Sequence, residues 1–290
     1  MYQILSDNNN NLIVKIPDFD PIHTFLCGQC FRWNQDDDGS WIGVAHGRIL
    51  NLSWDGEVCT FFNMDKQEFV DIWANYFDLD TNYDAIKKIL AKKDEHLREA
   101  VVHGHGIRLL NQDFIETLFS FLISQNNNIP RIKQIIESLS HSFGKPLDSN
   151  MGLYGFPNTF SLASASIDSL NVCRGGYRCR YISDTAKKLQ DMPGLKDDIN
   201  RLPKADAREL LLSLPGIGPK VADCVLLYSG IDRTAFPIDR WVKRVIETLY
   251  LKKESDEKSI RDFSQGYFGD LAGIAQQYLF YYAREKKIGL

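Results

Sequence analysis

The chain has 290 residues, of which 44% are hydrophobic, 12% aromatic and 25% charged, a composition that describes a folded globular protein and excludes a disordered or fibrous one. The length allows one large domain or two or three ordinary ones, and the longest apolar runs, around Leu118 to Ile123 and Val225 to Tyr228, fall far short of the roughly 20 residues that span a bilayer. A formal charge of −4 and an isoelectric point near 5.9 mean that any affinity for nucleic acid has to arise at a local site and not from bulk charge.

Met1 to Asn11 carries no basic flank and no apolar core, so no secretory signal is expected and the cytoplasm is the expected compartment. Six cysteines, at 27, 30, 59, 173, 179 and 224, are spread through the chain, which favours reduced thiols over a disulfide framework. Cys27-Gly28-Gln29-Cys30 lacks a second cysteine pair or histidines at ligand spacing, so no metal or redox centre is expected there.

Residues 12 to 62 read as an antiparallel β meander. Strands are expected at Cys30 to Asn34, Ser40 to Val44, Arg48 to Ser53 and Glu57 to Phe62, separated by the turn pairs Asp38-Gly39, His46-Gly47 and Asp55-Gly56. From Asp65 the texture becomes helical, starting with Asp65 to Phe77 and Tyr83 to Ile89, and no further strand is expected. Phe114 to Gln125 is apolar nearly all round, as a central buried helix would be. Asn128 caps the next helix, Pro130 suits its first turn, and Ile132, Ile135, Ile136, Leu139 and Phe143 form its apolar face. Gly144 to Phe160 reads as loop. Val172 to Ser183 holds Arg174, Arg178 and Arg180 among Tyr177 and Tyr181 with no acidic residue, a patch able to grip a phosphate backbone or simply to stay solvated.

The stretch Leu212-Ser213-Leu214-Pro215-Gly216-Ile217-Gly218-Pro219-Lys220-Val221-Ala222 is the most informative. One helix closes by Leu214, Gly216 and Gly218 permit a tight turn with positive φ, and Pro219 starts the next helix, giving a helix-hairpin-helix at about 206–230. Its glycines let backbone N–H groups approach a phosphate, and the new helix aims its positive end at the same anion. Lys220 sits in that helix's first turn, where the dipole disfavours a cation but where an amine is favoured as nucleophilic free base. Downstream, Asp239 in Phe236-Pro237-Ile238-Asp239-Arg240-Trp241 is a good N-cap for a helix over Arg240 to Tyr250.

Together these features resemble the helix-hairpin-helix DNA glycosylase superfamily, and the whole chain resembles the 8-oxoguanine DNA glycosylase/AP lyase family within it. The resemblance rests on Cys27-Gly28-Gln29-Cys30-Phe31-Arg32-Trp33, Ser124-Gln125-Asn126-Asn127-Asn128-Ile129-Pro130-Arg131-Ile132, Gly176-Tyr177-Arg178-Cys179-Arg180-Tyr181, Lys220-Val221-Ala222-Asp223-Cys224, and Gly273-Ile274-Ala275-Gln276 to Phe280. It implies an α+β fold, with an N-terminal antiparallel sheet domain and flanking helices over 1–110 and a mostly α-helical glycosylase core over 111–290. It further implies that Lys220 attacks the deoxyribose C1′ and that Asp239 stabilises the developing positive charge. A flipped base would lie against Gly28, Cys224, Pro237, Gln276 and Phe280. Asn126, Asn127, Arg131, Tyr177, Arg178, Gly216 and Gly218 would meet the DNA. The implied partner is double-stranded DNA containing oxidised guanine, bound by a monomer with no membrane association, in the nucleus if the source were eukaryotic.

Two positions depart from the family pattern: Trp241 replaces a histidine that meets a phosphate, and Cys30 replaces a commoner serine. With no cysteine after Cys224, the iron–sulfur loop of the endonuclease III branch is absent. No metal and no cofactor are implied, apart from a monovalent cation that the hairpin carbonyls bind in some relatives. Two alternatives remain at this point: a glycosylase for another damaged or alkylated base, and a non-catalytic module that uses the hairpin only to hold DNA backbone.

Overall fold

In the computed structural model residues 2–8 and 10–288 are described; Met1, Asn9, Gly289 and Leu290, which belong to the ends of the expected domains and to the stretch Met1 to Asn11, lie outside them. Six strands form one sheet in the order β1-β2-β6-β5-β4-β3, with β1 Gln3–Asn8, β2 Asn11–Lys15, β3 Trp33–Gln35, β4 Trp41–Ala45, β5 Arg48–Trp54 and β6 Val58–Phe62. The turn pairs behave as their composition requires, since Gly39, His46, Gly47 and Gly56 all have positive φ. β1 was not expected. Its side chains are mostly exposed and its sequence lacks alternation, so it is held as an edge strand by pairing with β2, with a bulge between Ile4 and Ser6.

The helices that matter below are α1 Pro21–Phe25, α2 Tyr83–Lys93, α3 Glu95–His103, α4 Phe114–Ile123, α5 Ile129–Phe143, α6 Arg178–Gln190, α7 Lys204–Leu212, α8 Pro219–Tyr228, α9 Arg240–Val245, α10 Glu257–Phe268 and α11 Ala272–Lys286. A second correction concerns the segment read as loop after α5. It contains a two-stranded ribbon, β7 Pro146–Asp148 with β8 Leu153–Tyr154, too short to leave a periodic signal. Asp148 closes its turn by accepting from the amides of Asn150 and Met151.

The chain forms two compact units, each assembled from separated segments. The first comprises Met1–Gln29, Leu52–Asn111 and Asp232–Leu290. Its core holds the aromatic cluster Phe61, Phe69, Trp73, Tyr76 and Phe77, all essentially inaccessible. Burial of each such side chain stabilises by roughly 1.5–3 kcal/mol. The second comprises Cys30–Asn51 and Gln112–Ile231, and β5 runs across the boundary between the two segments of sequence. In the second unit α4 is buried on nearly every side, as its composition requires, and Asp113 caps it through the amides of Ile115 and Glu116. Asn128 caps α5 through Arg131 N at 3.1 Å, and Ile132, Ile135, Ile136 and Leu139 are buried beneath it. Trp33 of β3 lies flat on Gly43 of β4, where any side-chain carbon would come within 2.4 Å of the indole. Among the described residues no helix is long and apolar enough to cross a membrane.

Candidate active site and nucleic-acid interface

The helix-hairpin-helix is α7, a turn over 213–218, and α8. Gly216 has φ +74, and a side chain there would strike Tyr181 within 2.9 Å, so both conformation and space demand glycine. Gly218 corrects the expectation of two positive-φ glycines. Its φ is −98 and ψ 177, ordinary extended backbone at the N-cap of α8, and a side chain there would meet nothing within 4 Å. What glycine provides at 218 is therefore an open approach to the amides of the first turn of α8, which suits a phosphate. The turn is braced from within its own unit: Gln125 Nε2 donates to Gly216 O at 3.0 Å and the Thr185 hydroxyl donates to Pro215 O at 2.5 Å.

Lys220 emerges from the first turn of α8 and is half-buried. Its amine donates to Ser124 Oγ at 3.0 Å and sits 5.0 Å from the centroid of the Phe121 ring. Ser124 Oγ itself donates to Phe121 O at 2.7 Å, which turns its lone pairs toward the lysine. The ammonium is thus held by one hydroxyl and one ring face, with no carboxylate among the described residues paired to it, an arrangement that leaves the amine directed but weakly restrained. One turn further along α8, Cys224 is buried, and Asp223 beside it is occupied by an ion pair to Arg208 Nε at 2.7 Å.

The basic segment Val172 to Ser183 divides into a buried and an exposed part.

 Arg178 is buried, 5% exposed, and its guanidinium is turned inward: Nε donates to Gln125 O at 2.9 Å, Nη2 to Gln125 O and to Asn126 O, and Nη1 to Gly175 O. It therefore holds the backbone of the loop that carries Asn126 and Asn127, and Asn126 is strained there to φ +47. Meeting an orphaned base would require Arg178 to exchange one of these carbonyls for it. Tyr177, by contrast, is 52% exposed with the Arg178 guanidinium 4.6 Å from its ring centroid. Arg131 is exposed at the start of α5, with Nη2 3.4 Å from Arg174 O, and Asn127 turns back to donate to Ile123 O at 3.2 Å. Asn126, Asn127, Arg131, Tyr177 and Arg178 are thus brought to one edge of the second unit.

The first unit carries the remaining residues. Gly28 has φ +91, and a side-chain carbon on it would lie 3.1 Å from Phe280 Cε1 and 3.4 Å from Arg284 Nη1. Gly28 therefore lies directly against the edge of the Phe280 ring. The carbonyls just before it are fastened to α11, with Gln277 Nε2 donating to Cys27 O at 3.0 Å and Arg284 Nη2 to Leu26 O at 2.8 Å. Gln29 is fully buried and anchors the other side, donating to Thr24 O and Arg108 O and accepting from Leu110 N. Gln29, Gln277, Arg284 and Ser124 have no role in the sequence reading, although Gln29, Ser124 and Gln277 lie within or beside its motifs.

Gln276 is 3% exposed, and its Oε1 is buried with no hydrogen-bond partner among the described residues. An amide acceptor left unsatisfied in the interior costs free energy, on the order of 1–3 kcal/mol, unless something else supplies a donor. Pro237 is buried. Asp239 caps α9, its Oδ1 accepting from Val242 N at 2.8 Å, while Trp241 at the position of departure is half-buried with Arg244 5.9 Å from its ring centroid. None of the six cysteines forms a disulfide, and burial pushes the Cys27 thiol up to about 12, so at neutral pH it is carried as a buried, protonated thiol.

The sequence from 119 to 267 matches the model of the HhH-GPD superfamily of base excision DNA repair proteins, and 11 to 118 matches the 8-oxoguanine DNA glycosylase N-terminal domain. The structure of MBOgg1 in complex with a low-affinity DNA ligand is 43% identical, with a TM-score of 0.94 and 99% of each chain covered. The 8-oxoguanine glycosylase/lyase of Clostridium acetobutylicum, in complex with double-stranded DNA containing cytosine opposite 8-oxoG, is 38% identical, with a TM-score of 0.93 and 99% of each chain covered. The N-glycosylase/DNA lyase OGG1 of Arabidopsis thaliana is 28% identical over 275 residues, 89% of this chain and 75% of the plant protein. The fold and hairpin thus define a helix-hairpin-helix base excision repair protein. Within that class the chain belongs to the 8-oxoguanine DNA glycosylase family, enzymes that join N-glycosylase and DNA lyase activity.

Proposed function

We propose that the protein flips 8-oxoguanine out of duplex DNA, preferably where it stands opposite cytosine, excises it through a lysine Schiff base, and cleaves the abasic site by β-elimination. The observation that carries this reading is the Lys220 amine, presented from the first turn of α8 on a single hydroxyl and a ring face.

A base inside the stack shields its C1′, so extrusion comes first. The Lys220 nitrogen lone pair then forms a bond to C1′ as the C1′–N9 bond breaks, and the departing base takes up a proton. Positive charge develops on the sugar in this step, and the Asp239 carboxylate stabilises it. The C1′–O4′ bond opens next, with O4′ protonated, and leaves an iminium between Lys220 and C1′. The iminium acidifies C2′–H; loss of that proton forms the C2′–C3′ double bond and expels the 3′ phosphate. Water finally hydrolyses the imine and frees the lysine.

Base choice follows from donors and acceptors. The N7 of 8-oxoguanine carries a hydrogen that the Gly28 carbonyl accepts, whereas guanine presents a lone pair there. Gln276 supplies its unsatisfied amide oxygen to the Watson–Crick edge, Phe280 and Cys224 flank the ring, and Pro237 packs beside it. Arg131 reads the orphaned cytosine through its O2 and N3 acceptors; Tyr177 fills the gap; Arg178 keeps the Asn126–Asn127 loop in shape. Gly216 and Gly218 grip phosphate through the hairpin amides, and a monomer meets the duplex.

Borohydride reduction on an 8-oxoguanine duplex tests the central step. The wild type should give a covalent protein–DNA adduct, and Lys220→Gln should bind DNA yet give neither adduct nor base release. An adduct of normal yield from the mutant would assign the nucleophile elsewhere.

A further inference from the structure

Three of the chain's six histidines gather at one corner of the first unit. His23 lies on α1, Asp20 is that helix's N-cap, and His103 and His105 stand at and just beyond the end of α3. One ligand-capable atom from each of Asp20, His23 and His105 lies within 4.8 Å of the others. His23 Nδ1 is 3.5 Å from Asp20 Oδ2, and the His23 and His105 rings meet edge to face with centroids 4.6 Å apart. None of these groups has a part in the excision chemistry.

The two segments are fixed before any ligand arrives. Asp20 N donates to Gly106 O at 3.0 Å, Thr24 Oγ1 donates to the same carbonyl at 2.9 Å, and Gly106 N donates to His23 Nδ1 at 3.3 Å. Residue 106 has to be glycine for this approach, because a side-chain carbon there would fall 2.2 Å from Asp20 Cβ. Asp20 Oδ1 is committed to the cap, accepting from Ile22 N and His23 N, which leaves Oδ2 as the oxygen that faces the imidazole.

We propose that Asp20 Oδ2, His23 Nδ1 and His105 bind a divalent transition-metal ion of the zinc type, with solvent completing the coordination. Metal bonds of about 2.0–2.2 Å at tetrahedral angles place neighbouring ligand atoms roughly 3.3–3.6 Å apart, and the Asp20–His23 pair already has that spacing. His105 is exposed, so its side chain is free to turn the remaining distance. Ligation through Nδ1 releases the long bond from Gly106 N–H. Two imidazoles and one carboxylate suit zinc, nickel or copper, whereas magnesium and calcium select all-oxygen sets. The ion would tie α1 to the 104–106 turn, and α1 leads straight into the Leu26–Gly28 segment. Its expected effect is to stabilise this unit, not to take part in excision.

The test uses untagged protein freed of metal by chelation, titrated calorimetrically with zinc chloride, with magnesium chloride as control. Variants are His105→Ala and Asp20→Asn; asparagine caps a helix as well as aspartate, so the second keeps α1 while removing the anionic ligand. Wild type should bind one zinc ion and melt at a higher temperature with it, each variant should bind at least about tenfold more weakly, and magnesium should do neither. Absence of zinc binding to the wild type, or undiminished binding by both variants, overturns the proposal.

Discussion

Asp239 does two things that substitution can separate. Its Oδ1 accepts from Val242 N at 2.8 Å and so caps α9, and the proposed chemistry needs its negative charge. Asparagine offers the same acceptor at the same place. Asp239→Asn should therefore keep the cap and lose only the charge–dipole attraction, about 0.3–1 kcal/mol of stability. Asp239→Ala should lose the hydrogen bond as well, typically about 1 kcal/mol. Excision should respond differently: both variants forfeit a preorganised charge at the transition state, a loss of about 10²–10³ in rate or roughly 3–4 kcal/mol. Asparagine should thus uncouple rate from stability. Single-turnover excision from an 8-oxoguanine duplex at saturating enzyme, beside thermal melting of each variant, measures both. Near wild-type excision by Asp239→Asn, with a deficit only in Asp239→Ala, would reduce the residue to a helix cap.

Gly28→Ala places a side chain at φ +91 and 3.1 Å from Phe280; backbone strain of about 1–3 kcal/mol should lower melting, and 8-oxoguanine excision should fall while affinity for undamaged duplex holds. Equal loss of both activities would show that the loop does not read the base. Burial raises the Glu116 pKa from 4.5 to about 7, against the opposing pull of the Arg32 guanidinium 3.8 Å away. The unfolded chain releases that proton near pH 4.5 and the folded chain only near 7, so stability is fully present below this window and declines as pH rises through it, by about 3 kcal/mol at most. Glu116→Gln should flatten the stability profile between those pH values, and an unchanged slope in denaturant titrations would show that the carboxyl does not carry the raised pKa. Arg131→Ala should narrow the excision preference for cytosine over adenine as opposite base, by about 1–3 kcal/mol, and a full preference retained in single-turnover assays would take Arg131 out of that role.

The sheet's centre was legible because its turns carry residues that tolerate positive φ, as at His46-Gly47, and because β6 alternates buried and half-buried side chains. β1 was not, since an exposed edge strand is specified by its partner and not by its own pattern. Residue numbers for the site came from motif order, and chemistry alone would have ranked several differently. Gln276 illustrates the reason: α11 is buried on nearly every side, so no polar face exists from which a helical pattern could distinguish it. Arg178 illustrates the converse, a charged residue in a basic run whose fork is spent on backbone carbonyls. Arg284 and Gln277 act on carbonyls far away in sequence, and a single chain carries no local trace of such partners.

The first unit draws its residues from three stretches, the last beginning at Asp232. During vectorial synthesis its early strands and α1 emerge long before α9, α10 and α11, so their apolar surfaces must wait while the intervening stretch is made. Loop-closure entropy makes such distant pairings slow relative to local ones. The stretch from Gln112 to Ile231, rich in sequential helix contacts, is positioned to acquire structure sooner. Chaperone dependence should consequently track the waiting N-terminal segments, and destabilising substitutions at the Gly28–α11 junction should depress yield in cells more than their effect on the finished protein's melting would suggest.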